Sequence, residues 1–252
     1  MLLIVNADDL GTSSRVNDET FALMEAGIVT SATLIANAPG FAEAARRSRD
    51  YPQCSFGVHL NLSALRPIGP IEGLESILDD RGQLSQKLFQ VAMPDRDLRA
   101  AMVRELETQV QCVLDSGVAV SHFDSHQHVH TIPQLFPVFK AVQRRFGVRK
   151  IRRTRNLLEA GRKPRGLRAV KKGAFSVAQR YIYASRCPDG FGDFRDFYDA
   201  LQLGHMPRFR SLELMVHPGT SDRTYQEEIE QLRSGWPESL PKDVELRSYL
   251  SL

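Results

Sequence analysis

Short runs of β-forming apolar residues alternate with longer helical patterns along the whole chain, and this alternation restricts the fold to parallel α/β architectures. Leu2–Val5 reads as a buried strand leading into Asn6, and Ser13/Ser14 can cap a helix reaching Ala26, with Gly27 placed to end it. Ser31–Ile35 and Ser55–Leu62 are the next β-type runs, with a helical stretch Phe41–Arg49 between them. Leu98, Met102, Leu106, Val110 and Val113 recur at three- or four-residue spacing, which predicts an amphipathic helix over 98–114 ended by Gly117. Val118–Val129 returns to strand, and Pro133 starts a helix to about Phe146. Arg149–Arg152, Ser211–His217 and Val244–Leu246 are the later β-type runs. No linker or repeat divides the 252 residues, so the expectation is one domain over 1–252, an irregular (β/α) barrel, with an open doubly wound sheet as second choice.

A composition of 42% hydrophobic and 25% charged residues is that of a globular protein, not a disordered or fibrous one. Cys54, Cys112 and Cys187 form no CxxC pair, which argues against a disulfide framework and for a reducing compartment. The opening apolar run is too short for a signal peptide, and no stretch of about 18 apolar residues could span a membrane. A cytoplasmic protein is therefore expected. The formal charge of +3 conceals an asymmetry: residues 140–186 hold sixteen Lys/Arg against Glu159 alone, so the rest of the chain is acidic. Leu167, Val170, Ala174, Val177 and Tyr181 keep helical spacing, which predicts a basic, helical insertion at about 155–205. A solvated helix face is its simplest reading. Its alternative partner is an anionic membrane surface or glycolipid; nucleic acid ranks lower, because aromatic residues do not interleave with the charges. Homo-oligomerisation stays open.

Polar residues concentrate where the strands end, the position at which barrels and open α/β sheets carry their sites. Asn6-Ala-Asp8-Asp9 ends the first strand, His59 lies near the end of another, and His217-Pro-Gly219 ends a third. In His122-Phe-Asp124-Ser-His126-Gln-His128-Val-His130 every second residue is His or Asp, so strand alternation would aim several imidazoles to one side, a face that must be wet or metal-bound. Asp8 and Asp9 would point in opposite senses, one towards a metal and one towards substrate; a helix cap is their plainer role. His59, among apolar neighbours, reads by itself as a hydrogen-bonded core residue. Glu213 shares the strand parity of His217. One aspartate with two histidines leaves coordination positions open, which suits a catalytic metal that activates water. No GxGxxG, P-loop, HExxH or GxSxG motif is present. Two rival enzymes fit less well: a metal-dependent phosphoesterase, which usually carries an early HxH, and an iron oxygenase using His122-Phe-Asp124, which needs an all-β scaffold.

Five segments, in order, resemble the YdjC-like carbohydrate deacetylases, which include chitooligosaccharide deacetylases: Asn6-Ala-Asp-Asp-Leu-Gly11, Gly27-Ile-Val-Thr-Ser-Ala-Thr33, Gly57-Val-His-Leu-Asn61, His122 through His130, and Glu213-Leu-Met-Val-His-Pro-Gly219. Leu10 stands where the family usually has Phe. The resemblance implies a distorted (β/α) barrel related to polysaccharide deacetylases, one divalent metal ion (magnesium or zinc) and an acetylated amino-sugar substrate. It implies Asp9, His59 and His126 as metal ligands, Asp8 as general base and His217 as general acid. His128, His130, Asn61 and Glu213 are left as substrate-binding or supporting residues. Residues 63–95 and 155–210 carry no matching motif.

Overall fold

The computed structural model describes residues 1–154, 157, 173–222 and 225–252. Seven strands form one sheet: β1 (Leu2–Leu10), β2 (Ser31–Leu34), β3 (Ser55–Leu60), β4 (Val120–Ser125), β5 (Gly190–Asp193), β6 (Ser211–Val216) and β7 (Glu245–Leu246). The order is β4-β3-β2-β1-β6-β5, with β7 also paired to the start of β1, and every pairing is parallel. Helices α1 (Ser14–Glu25), α2 (Phe41–Arg47), α3 (Arg96–Asp115), α4 (Phe136–Phe146), α5 (Phe194–Gln202) and α6 (Gln226–Leu232) lie between strands, as parallel connections require. The Ser13 hydroxyl accepts from Val16 N–H to start α1, and the Asp95 carboxylate accepts from Leu98 N–H to start α3.

Residues 150–152 and Leu157 bond to the two outer strands. They bond β4 through Phe123 N–H to Lys150 O and Arg152 N–H to Phe123 O, and β5 through Leu157 N–H to Phe191 O at 2.9 Å. The sheet thereby curls into an irregular barrel.

The pleat sorts the strand residues into two populations. Leu3, Val5, Ala7, Ala32, Leu34, Phe56, Val58, Leu60, Phe123, Leu212, Leu214 and Val216 join the apolar core shared with the helices. Alternate positions carry Asn6, Asp8, Ser31, Thr33, Ser55, His59, His122, Asp124 and Glu213, all buried. The apolar core is therefore outside the sheet, and a polar column runs up its inside. Gly57 belongs to that column because a Cβ there would stand 2.6 Å from His122 O and 2.8 Å from its ring.

Two sequence expectations shift. Val118–Val129 is not one strand: β4 stops at Ser125 and a turn runs from His126 to Thr131. Within the predicted basic insertion, Gly190–Asp193 and Phe194–Gln202 supply β5 and α5 of the sheet itself. Arg155, Glu159 and every Lys/Arg from Arg162 to Lys172, with the stripe residues Leu167 and Val170, lie outside the described residues. Of the remaining basic residues, Arg152 is fully buried, Lys150 Nζ donates to Tyr249 O at 2.6 Å, and Arg153 donates to Asp189 O. These three are spent on internal contacts. Among the described residues, no helix is long and apolar enough to cross a membrane.

Candidate metal centre

β1 delivers Asp8 and Asp9 to the mouth of the polar column, but not by simple alternation. The β1–β2 register shifts between Ala7 and Leu10, and Asp9 takes a left-handed φ of 62°. Through this bulge both carboxylates reach one site. Asp8 is buried and faces inward, whereas Asp9 is about a quarter exposed at the rim.

Asp9, His59 and His126 converge. Asp9 Oδ1 lies 3.3 Å from His59 Nε2 and 3.0 Å from His126 Nδ1. Adjacent ligand atoms each about 2.1 Å from a single ion stand about 3 Å apart, so this spacing suits a shared cation. His59 Nδ1 meets Asp124 Oδ1 at 2.7 Å, and Thr33 Oγ1 donates to Asp124 Oδ2 at 3.0 Å. A carboxylate behind the imidazole orients it and leaves Nε2 facing the mouth. Burial alone would lower the His59 pKa, yet Asp124, Asp9 and Asp8 raise it to about 10. The neighbourhood is thus strongly negative. A second trio, Asp8, His59 and Asp124, is also close. There the Arg152 guanidinium already meets both carboxylates, at 2.6 and 3.0 Å, and the three residues lie almost wholly out of reach of solvent. Asp9–His59–His126 is the trio open to a cation and a water.

Arg152 organises the column below the mouth. It donates to both oxygens of Asp8 at 2.6 Å and, through Nε, to Glu213 Oε1 at 2.8 Å. Asn6 Nδ2 donates to Asp8 Oδ1 at 2.9 Å. Burial would raise the Asp8 pKa, but Arg152 holds that carboxyl well below its usual range, so it is a carboxylate. Glu213 lies deeper: burial lifts it to about 7 against the pull of Arg152 and a 2.5 Å bond donated by the Tyr249 hydroxyl.

His217, next after β6, packs its ring on Tyr225 with centroids 4.1 Å apart, and its backbone N–H donates to Glu228 Oε2 at 2.6 Å. Its Nδ1 is buried without a hydrogen-bond partner among the described residues. Burial lowers its pKa, while Asp8 and Asp9 pull the other way. The imidazole is neutral at rest.

The remaining members of the histidine run separate, because only His122 and Asp124 obey strand alternation. His122 points down the column, stacks on Tyr249 at 3.6 Å and reaches Asn6 Oδ1 at 3.2 Å, and the parallel α/β fold is not the all-β scaffold that the HxD oxygenase reading needs. His130 is fully buried between Ser125 Oγ at 2.6 Å and Arg152 O at 3.1 Å, beneath the site. His128 sits edge-on to Phe191 at 5.6 Å, and burial pushes its pKa down to about 3. Gln127 and His128 both have left-handed φ, which turns His126 and His128 out of the strand's pattern. Asn61 shapes the loop after β3: its Oδ1 accepts from Ser63 and Ala64 N–H, and its Nδ2 donates to Ala64 O and Asn37 Oδ1. Arg152, Thr33 and Tyr249 were not among the predicted site residues. Arg152 was visible only as one of sixteen basic residues, and nothing near Tyr249 in sequence hints at its partners.

The family model described as YdjC-like protein matches residues 2–251. A carbohydrate deacetylase from Listeria monocytogenes serotype 4b (strain CLIP80459) is 30% identical over 229 residues, covering 90% of this chain and 85% of that protein. One from Halalkalibacterium halodurans is 28% identical over 253 residues, covering 100% and 97%. A solved structure described as a "putative cellobiose-phosphate cleavage protein" from Enterococcus faecalis V583 shares the fold with a TM-score of 0.77 at 24% identity, covering 99% of this chain and 98% of that one. By sequence over nearly its whole length, this chain belongs to the YdjC-like protein family.

Proposed function

We propose that the protein is a metal-dependent carbohydrate deacetylase that hydrolyses the N-acetyl group of an amino sugar, oligosaccharide or glycolipid, giving acetate and a free amine. The observation that carries this reading is the convergence of Asp9, His59 and His126 beside an ionised Asp8 and a neutral His217. The relatives named carbohydrate deacetylase support it.

The donor set fits a divalent cation, and one carboxylate with two imidazoles suits zinc better than magnesium. Such an ion, when bound, polarises the acetyl carbonyl and acidifies a water. The chain's own residues do the rest. Arg152 keeps Asp8 ionised and fixes its plane. Among the described residues, Asp8 Oδ1 accepts from Arg152 and Asn6, whereas Oδ2 accepts one bond and keeps a lone pair for the proton leaving the attacking water. Protonation of the departing nitrogen falls to His217. Since its imidazole is neutral at rest, the proton it passes to the nitrogen must first reach it, and the one the reaction supplies is that which Asp8 accepts from the water, so the transfer balances with no outside acid.

Acetate release from acetylated amino-sugar oligomers by zinc-loaded protein tests the reading. Asp8→Asn should lower kcat by about a hundredfold or more, the usual scale of a general base. In equilibrium dialysis, His59→Ala/His126→Ala should lose the zinc that Asp8→Asn retains. Full activity in Asp8→Asn would remove the base, and undiminished zinc in the double variant would remove the site.

A further inference from the structure

Tyr249, in the last turn of the chain (Tyr249–Ser251), lies at the floor of the polar column and connects to Asp8 by two separate routes. Along the first, the Tyr249 hydroxyl donates to Glu213 Oε2 at 2.5 Å, Arg152 Nε donates to Glu213 Oε1 at 2.8 Å, and the other two nitrogens of Arg152 hold both oxygens of Asp8. Along the second, the Tyr249 ring stacks on His122 at 3.6 Å with planes 9° apart, His122 Nε2 donates to Asn6 Oδ1 at 3.2 Å, and Asn6 Nδ2 donates to Asp8 Oδ1 at 2.9 Å. Asn6, Asp8, His122, Arg152, Glu213 and Tyr249 are all at most 1% exposed.

The tyrosine is itself anchored. Its backbone N–H donates to the hydroxyls of Ser31 and Ser55, on β2 and β3, and its carbonyl accepts from Lys150 Nζ at 2.6 Å. A residue held on three sides, whose ring and hydroxyl feed two chains ending on one carboxylate, can set that carboxylate's orientation. We infer that Tyr249 is a positioning residue for Asp8: the C-terminal turn locks the plane of the carboxylate through the Glu213–Arg152 and His122–Asn6 routes. This rests on the deacetylase reading for its catalytic consequence, though not for the network itself.

The two routes can be cut separately. Tyr249→Phe keeps the stack on His122 and removes only the hydroxyl, leaving Glu213 Oε2 without that donor. Tyr249→Leu removes both. Loss of one hydrogen bond to a charged group predicts a fall in kcat of about tenfold in Tyr249→Phe with KM little changed, and a larger fall in Tyr249→Leu. Because the effect passes through Asp8, Tyr249→Phe should not lower the residual kcat of Asp8→Asn any further. Wild-type kcat in Tyr249→Phe, or an equal fractional loss in the Asp8→Asn background, overturns the inference. The same four proteins, wild type, the two single variants and the double, should also show non-additive shifts in Tm, since the residues share one buried network. If wild-type protein releases no acetate from acetylated amino sugars, the deacetylase reading fails while this stability cycle still judges the network: additive shifts would overturn it.

Discussion

Arg152→Met tests what the guanidinium contributes to the column. Met keeps most of the length and removes the charge. The guanidinium is fully buried, lies 2.6 Å from each oxygen of Asp8 and 2.8 Å from Glu213, and approaches Asp124 at 3.0 Å. Breaking one buried ion pair costs about 3–5 kcal/mol. A domain holds about 5–15 kcal/mol in total, so at neutral pH the variant should stand close to unfolding. The loss carries a definite pH sign. In the wild type Arg152 keeps the Asp8 carboxyl well below its usual range, so its stabilising contribution is present above about pH 4 and fades only as pH falls through the lowered pKa. Without the guanidinium, burial acts unopposed by it and the Asp8 pKa moves up. The folded variant then binds protons that its unfolded chain releases, and its stability rises as pH drops from about 8 towards 5. Urea denaturation across that range, extrapolated linearly to water, should show a gap that is widest at the alkaline end. Arg152→Lys, which keeps the charge and loses the fork, should close part of the gap. A pH-independent gap, or a Met variant as stable as wild type at pH 8, would refute the charge argument.

Two other perturbations probe the frame. Gly57→Ala places a methyl 2.6 Å from His122 O and should cost about 1–3 kcal/mol, read as a fall in Tm; an unchanged melt would mean that the column yields more readily than its contacts imply. Burial lifts the Glu228 pKa to about 8, so the folded state gains from its proton at low pH and loses that gain as pH rises from about 4.5 through 8. Glu228→Gln keeps an acceptor for the His217 N–H and should flatten this decline, and parallel wild-type and variant Tm curves from pH 5 to 9 would count against it.

The helices were legible where local chemistry decides them. Helices α1 and α3 follow the apolar periodicity, and their ends sit within two residues of the predicted ones. β5 was not legible: Gly-Phe-Gly-Asp has little β propensity, and the reason for its glycines lies in distant residues, since a Cβ on Gly192 would stand 2.6 Å from Leu157 Cβ. The histidine run does not form the single face that strand alternation predicts. Alternation holds through Asp124, and then Gln127 and His128 enter left-handed conformations that no residue type there announces. Arg152 was invisible for another reason. Its charge added to a basic segment in sequence, while its partners on β1, β4 and β6 are assembled only by the fold.

The column's charge balance has a consequence at the mouth. Asp8, Asp124 and Glu213 share the guanidinium of Arg152, Asp9 adds a further carboxylate at the mouth, and the uncompensated negative charge falls beside His59. That field raises the His59 pKa to about 10, so the ring of the cation-free protein carries a proton at neutral pH. A divalent ion answers the same negative charge and needs the same Nε2 in its unprotonated form. Proton and ion therefore compete for one nitrogen. Zinc binding should release close to one proton per ion near pH 7.5, measurable as a buffer-dependent enthalpy in titration calorimetry, and apparent affinity should rise about tenfold per pH unit until His59 deprotonates. A His59→Asn variant lacks that nitrogen, so it should bind zinc weakly and with little proton release. Tight zinc binding by wild-type protein with no proton released would mean that His59 is neutral beforehand, and the reading of the mouth as a site held open by excess negative charge would fall with it.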